Sequence, residues 1–273
     1  MTVAADPRGP DLLGRGGTDL LPRNDPRQYD ELADDWWDPA GCFAMLHWLA
    51  ASRATVLPAP SRAGALLVDV ACGGGLLAPH VARAGYRHVG VDIGLAGLRL
   101  AASHGVRAVQ GDALHLPLPD ACADVVVAGE VFEHIPDLPA VTAEVCRVMR
   151  PGGTVVLDTI AATWFGRVSS ITVGERLPGG PPQRLHDPAL FVDRAALARE
   201  FGRHGVVLTL TGLRPPVVGY ARWLLARALG RAVPTLSMAP TRLTAGLFQA
   251  TGVRAPQSVP PTTGPAPTAR QEP

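Results

Sequence analysis

The run Ala65-Leu-Leu-Val-Asp-Val-Ala-Cys-Gly-Gly-Gly75 limits the possible folds of this chain more than any other. Short aliphatic residues lead into three glycines, and a helical apolar spacing follows over 76–84. This reads as a buried strand, a tight turn and a helix. Glycine permits a positive φ and leaves no Cβ in the way of an approaching ligand. The unit then recurs. The patterns predict strands over 65–70, 88–92, 106–110, 124–128, 154–158 and 206–210, with 242–249 as a seventh. Helices are predicted over 76–84, 95–104, 138–149 and 195–204, closed at Gly85, Gly105 and Pro151-Gly-Gly153 for the first three. Buried β-branched runs alternating with helices imply βαβ units. The expected fold is α/β, a doubly wound, mostly parallel, seven-stranded sheet that binds ligands beyond the carboxyl ends of its strands.

The 273 residues suit one such domain with flexible ends. Residues 1–24 and 255–273 are rich in Gly, Pro and polar residues without periodicity, and read as disordered tails around a domain over 25–254. The formal net charge of +1 gives no global field to attract nucleic acid. All basic residues are arginine, a composition that reflects coding bias and carries no function. The four cysteines, Cys42, Cys72, Cys122 and Cys146, form no C-x-x-C pair and sit among apolar residues, as buried free thiols do. No apolar leader begins the chain and no apolar run is long enough to span a bilayer, so a reducing, cytoplasmic setting is expected.

The glycine turn departs from the dinucleotide fingerprint: G-x-G-x-x-G is absent, and Asp69 precedes the glycines. A carboxylate there would repel a pyrophosphate but suits the ammonium group of a methionine moiety. Asp92, ending the second strand, is spaced to hold both hydroxyls of a ribose. Gly111-Asp112-Ala113, after the third strand, suits an adenine amino group. The ordered set, completed by Arg150-Pro-Gly-Gly153, is far more specific than one glycine loop.

With these motifs the chain resembles the class I methyltransferases, which have a Rossmann-like fold. Within them it is similar to the ubiquinone-biosynthesis O-methyltransferase family. The likeness runs over roughly 28–214. It includes Tyr29-Asp-Glu-Leu-Ala-Asp-Asp-Trp-Trp-Asp38, Gly41, Leu46-His47, Gly129-Glu-Val-Phe-Glu-His134 and His186-Asp187 with Phe191. The resemblance implies S-adenosylmethionine as cofactor. It places Asp69, Ala71, Cys72, Gly73, Gly75, Asp92, Ile93, Gly111, Asp112, Ala113 and Gly129 around it, and makes Arg53 a contact to it. It also implies a lid near 160–190 that contributes to membrane contact. Two departures stand out. Ala71 replaces the first glycine of the loop, at a cost of about 1–2 kcal/mol if φ is positive there. The segment 215–241 is longer than in the family and leaves the acceptor open.

Glu130, Glu133 and His134 follow the fourth strand directly, at the carboxyl edge where a transferable methyl is expected. If the turn is helical, all three share a face. Two carboxylates and an imidazole suit Mg²⁺ or another divalent cation, and the resemblance implies the same role. A cation would lower the pKa of a phenol or catechol acceptor; alternatively His134 acts alone as general base. Asp158, His186 and His47 are weaker candidates, and Trp36 and Trp37 are expected to cover the cofactor or the substrate. The expected activity is O-methylation of a phenol, catechol or quinol ring, with or without a polyprenyl tail. N- or C-methylation of another metabolite, or non-catalytic binding of the cofactor, are the alternatives. A small-molecule partner, no nucleic acid and peripheral membrane contact through Trp164, Phe165, Val168, Ile171 and Val173 beside Arg167, Arg176 and Arg184 complete the expectation, with the oligomeric state open.

Overall fold

A computed structural model describes residues 21–256. The elements run α1 (Arg27–Glu31), α2 (Ala44–Val56), β1 (Leu66–Val70), α3 (Ala78–Ala84), β2 (Arg87–Asp92), α4 (Leu95–Ser103), β3 (Arg107–Gln110), β4 (Ala123–Gly129), α5 (Leu138–Val148), β5 (Met149–Ile160), α6 (Trp164–Arg167), α7 (Arg194–Arg203), β6 (Val206–Arg214), α8 (Val217–Ala228), β7 (Ala239–Thr241) and β8 (Leu247–Arg254). The sheet order is β3-β2-β1-β4-β5-β8-β6-β7. Strands β1 to β5 pair in parallel, and β8 runs antiparallel to both β5 and β6.

Helices cover both faces, which is why the inner strands are aliphatic throughout. Val68, Val70, Val126 and Ala128 pack on Val141, Val145, Leu197 and Phe201 of α5 and α7. Leu67, Val125, Val127 and Val156 pack on Trp36, Phe43, Ala50, Leu77 and Val81. The connections step outward from β1 in both directions, so the gap beyond the carboxyl ends of β1, β2 and β4 is left open for a ligand.

Several sequence-based boundaries are corrected. The sheet has eight strands, one more than expected. The strand placed at 242–249 divides in two: β7 ends at Thr241, Leu243 to Gly246 form a turn, and β8 runs on to Arg254. Pro151-Gly-Gly153 does not separate α5 from the next strand. It lies inside β5, where the register against β4 shifts between Ala123 and Val125. The amino-terminal tail was drawn too long. Arg23 pairs with Glu175 at 3.0 Å, and the Asn24 amide donates to the carbonyl of His134 at 2.9 Å. At the other end Ala255 N–H donates to the carbonyl of Gly205. Residues 1–20 and 257–273 of the expected tails lie outside the described residues. The segment 160–190 contains α6, a wider π turn over Val168–Val173 and a short 3-10 turn over Gly174–Arg176. The segment 215–241 supplies α8 and β7, and α8 is bolted down by Trp223. That ring is fully buried, donates to the carbonyl of Pro39 at 3.1 Å and meets Trp48 edge-on.

Two features at the carboxyl edge have measurable cost. Ala71, just after β1, has φ 55°, the left-handed region that a Cβ disfavours. The buried Arg53 of α2 grips the fully buried Asp158 of β5 with two hydrogen bonds, Nε to Oδ2 at 2.5 Å and Nη2 to Oδ1 at 3.1 Å. Asp158 also fixes the adjoining turn, because its carbonyl accepts from the N–H of Glu130.

Ala71→Gly relieves about 1–2 kcal/mol of strain and adds about 0.4–1 kcal/mol of unfolded-chain entropy. The expected net is a stabilisation of about 0.5–1 kcal/mol, read as a higher urea midpoint with an unchanged slope. Arg53→Ala strands the Asp158 carboxylate in the interior, and the same titration is expected to show a loss of about 3–5 kcal/mol.

Candidate active site

Two chambers meet at the carboxyl edge. The first, about 270 Å³, is lined by the ends of β1, β2 and β4 and the turn after β3: Ala71, Gly73, Asp92, Ile93, Gly111, Asp112, Ala113, Glu130 and His134. Asn24, Tyr29, Asp30 and Trp36 of the amino-terminal segment roof it. The second, about 350 Å³, is mostly apolar, with Phe43, Met45, Leu49, Phe165, Val173, Leu177, Leu185, Leu213, Met238 and Leu247 in its wall. Tyr29, Leu46 and Glu130 border both.

In the first chamber, Asp92 is held by backbone donors. Its Oδ2 accepts from Gly73 N–H at 2.8 Å and its Oδ1 from Gly94 N–H at 2.8 Å. Burial raises its pKa, while those two amides pull the other way. The remaining lone pairs face the cavity, where hydroxyl donors would satisfy them. The expected cover role of Trp36 has a direct counterpart. Its ring lies so close over Gly73 and Gly74 that a Cβ on either would collide with it. Trp37 donates from Nε1 to the carbonyl of Gly74 at 2.9 Å and stacks on His104 at 3.5 Å between centroids. His47 does not line either chamber; its Nε2 bonds the carbonyl of Trp36 at 2.9 Å and holds that residue in place.

Other residues assigned to the cofactor stand behind the wall. Asp69 shares a sheet face with Leu67 and points its carboxylate at Nε2 of His88, 3.3 Å away. The thiol of Cys72 packs beside Gly90, and Gly75 packs on Ala101 and Val106. Gly129 is needed because the Arg53 guanidinium crosses directly over it. Arg53 itself is committed to Asp158. Asp112, in contrast, lines the first chamber, and its Oδ1 accepts from Leu114 N–H at 2.8 Å and shapes the turn. Of the four cysteines, Cys72 and Cys146 are buried as expected, but Cys42 and Cys122 are half-buried.

The turn after β4 is not helical at Glu130, which corrects the expected common face. Glu130 has φ 52°, and only Phe132–His134 forms a 3-10 turn. The side chains that could share one ion are therefore Glu133, His134 and His186, whose donor atoms all lie within 4.8 Å of one another. Glu130 stands outside that group. The imidazoles of His134 and His186 stack at 5.1 Å. Glu133 is fully buried and accepts from the Thr159 hydroxyl at 2.7 Å, while its Oε1, Oε1 of Glu130 and Nδ1 of His186 have no partner.

Burial pushes the Glu130 and Glu133 carboxyls upward, helped at Glu130 by the charges of Glu133 and Asp158 and at Glu133 by that of Asp158. Burial pushes His134 down to about 3 and His186 down to about 4, so both imidazoles are neutral near pH 7. Asn24 presents its carbonyl oxygen to Nδ1 of His134, so Nδ1 carries the proton and Nε2 is the acceptor. That acceptor takes the hydroxyl of Tyr29 at 3.1 Å. Asn24 and its bond to His134 were missed because a lone asparagine in a polar segment has no pattern to reveal it. Tyr29 had a signal in the amino-terminal motif, but its role depends on a contact 105 residues away.

A family described as "Methyltransferase domain" matches residues 68–157, from β1 into β5. A ubiquinone biosynthesis O-methyltransferase of Cupriavidus pinatubonensis is 31% identical over 200 residues, covering 69% of this chain and 80% of that one. One of a Methylobacterium species is 33% identical over 221 residues, covering 73% and 88%. An S-adenosylmethionine-dependent methyltransferase structure from Thermotoga maritima superposes with a TM-score of 0.57 at 14% identity, covering 84% of this chain and 99% of that one, which bears on the fold. The chain is an S-adenosylmethionine-dependent methyltransferase and belongs to the family of ubiquinone biosynthesis O-methyltransferases.

Proposed function

We propose that this enzyme methylates a hydroxyl of a phenol, catechol or quinol ring. The observation that carries this reading is the junction of the chambers, where the Glu130–Glu133 pair and two neutral imidazoles stand between a polar cavity and an apolar one. When bound, S-adenosylmethionine supplies an electrophilic methyl group. Asp92 would hold its ribose hydroxyls, beside the glycine loop that Trp36 covers. The apolar chamber takes the acceptor ring and its apolar substituent, and the relatives named above make a quinol the best-supported acceptor.

The chain's groups divide the remaining work. His134 at about 3 is too weak a base to hold a phenol's proton at neutral pH. Its Nε2 orients the hydroxyl instead. Glu130 borders both chambers, and its unpartnered Oε1 and raised pKa suit it to take the proton. Trp36, Tyr29 and Phe43 stack over the junction and exclude water. The unpartnered oxygen of Glu133 and the Nδ1 of His186 fit a divalent cation, which would stabilise an acceptor phenolate. Glu133 and His186 would hold it, with His134 the third group within reach.

Peripheral membrane contact forms the second part of the proposal. Among the described residues no helix is long and apolar enough to cross a membrane. Trp164 is 76% exposed, and Phe165, Val173 and Leu177, which reach the wall of the apolar chamber, are exposed as well. Residues 201–256 hold seven arginines and no acidic residue. Such a surface suits an anionic bilayer.

Isotope transfer from labelled S-adenosylmethionine to a catechol panel tests the first part. Transfer is expected, falling at least tenfold in Glu133→Gln or after chelation with EDTA. The rate should climb with pH through neutrality as the upshifted carboxyl pair ionises. Transfer to amines alone would refute O-methylation. For the membrane, co-sedimentation with phosphatidylglycerol vesicles is expected, with little on phosphatidylcholine and loss in high salt. Equal recovery in all the supernatants would refute that contact.

A further inference from the structure

Tyr29 is the one phenol at the junction of the two chambers among the described residues, and it already does what the acceptor must do. Its hydroxyl lies 3.1 Å from Nε2 of His134. Asn24 occupies Nδ1 of the same ring and also donates to the His134 carbonyl, so ring tautomer and orientation are both fixed. The Nε2 lone pair is therefore the single accepting position that this imidazole offers. An acceptor hydroxyl entering from the apolar chamber needs that position, and a group of its own chemical kind fills it.

The mounting of Tyr29 suits a group that leaves. It stands on α1, a helix of five residues none of which is buried. The ring is held by aromatic contacts, with Phe43 stacked at 6.2 Å, Trp36 at 6.0 Å and His134 edge-on at 5.9 Å. The helix itself is tied by polar contacts at the surface, from Gln28 to the carbonyl of Pro22 and from Ala96 N–H to Asp30. Among the described residues no covalent or buried ionic tether holds it. A protonated phenol can donate to Nε2, just as an incoming phenol can.

We propose that Tyr29 is an internal stand-in for the acceptor phenol: its hydroxyl occupies Nε2 of His134 until an acceptor hydroxyl displaces it, so that Tyr29 competes with every acceptor for that position. This rests on the phenol-methylating reading above. The exchange keeps the imidazole hydrogen-bonded at every stage, so the buried acceptor atom is never left without a donor. A ring lacking the hydroxyl would have to expel Tyr29 and leave Nε2 bare.

Tyr29→Phe keeps the stacked ring and removes the competing hydroxyl. With a catechol acceptor, KM is expected to fall roughly fivefold, the worth of one ordinary hydrogen bond, while kcat stays within about twofold. Calorimetry on enzyme saturated with S-adenosylhomocysteine should show the same gain in catechol affinity. The fully methylated ring, which has no hydroxyl to offer, should also gain on Tyr29→Phe, because nothing then has to be expelled from Nε2, but it should remain the weaker ligand in both proteins. Unchanged or weaker catechol binding by Tyr29→Phe would overturn the proposal, as would a collapse of kcat at constant KM, which would make Tyr29 a working part of the transfer. If the wild-type enzyme methylates no phenol in the panel, the phenol reading falls and takes this proposal with it. If it methylates catechol and Tyr29→Phe leaves KM unaltered, only the stand-in role falls.

Discussion

The ion pair between Arg53 and Asp158 is the interaction on which the architecture of the carboxyl edge depends. Both groups are buried, and each would be costly alone. Their union pins α2 to β5 across the tip of β4. It also accounts for Gly129, since no side chain fits beneath the guanidinium. The carbonyl of Asp158 then captures Glu130 N–H and holds that residue in a left-handed conformation. A charge pair far from any solvent thus sets the position of the carboxyl group that borders both chambers.

Around that anchor, the site gathers groups in their less common protonation states. The two glutamates are pushed toward neutrality by burial and by the neighbouring Asp158 charge, and the two histidines are kept uncharged. Such a cluster is poorly solvated, and several of its polar atoms lack partners. Local stability has been traded for chemical readiness, as is usual where pKa values diverge inside a cleft. Trp36, Trp37 and His47 compensate nearby with a tight aromatic and hydrogen-bonded clasp on the glycine loop.

Much of this was legible in the residues because inner strands covered on both faces must be aliphatic throughout. The runs at β1, β2, β4 and β5, the glycine turn and Asp92 follow from that rule and from turn chemistry. Strand β7, Ala-Pro-Thr, has no pattern to read, because an edge strand of three residues is set by its neighbour β6. The chemistry of an ammonium group and the family resemblance both assign Asp69 to the ligand. Strict alternation along β1 puts it on the face of Leu67, toward His88 and away from the cavity. The partnership of His186 with Glu133 and His134 joins residues about 50 apart, and local sequence carries no sign of it. Residues 21–24 looked like tail because their contacts are polar and distant, with Glu175, Arg184 and His134.

That short amino-terminal strap has a mechanical consequence. Arg23 bonds Glu175 and the carbonyl of His186, while Asn24, its neighbour, bonds His134. One piece of chain is thereby stitched to the rim of the apolar chamber and to the floor of the polar one. Displacing this strap from one wall would therefore loosen its hold on the other.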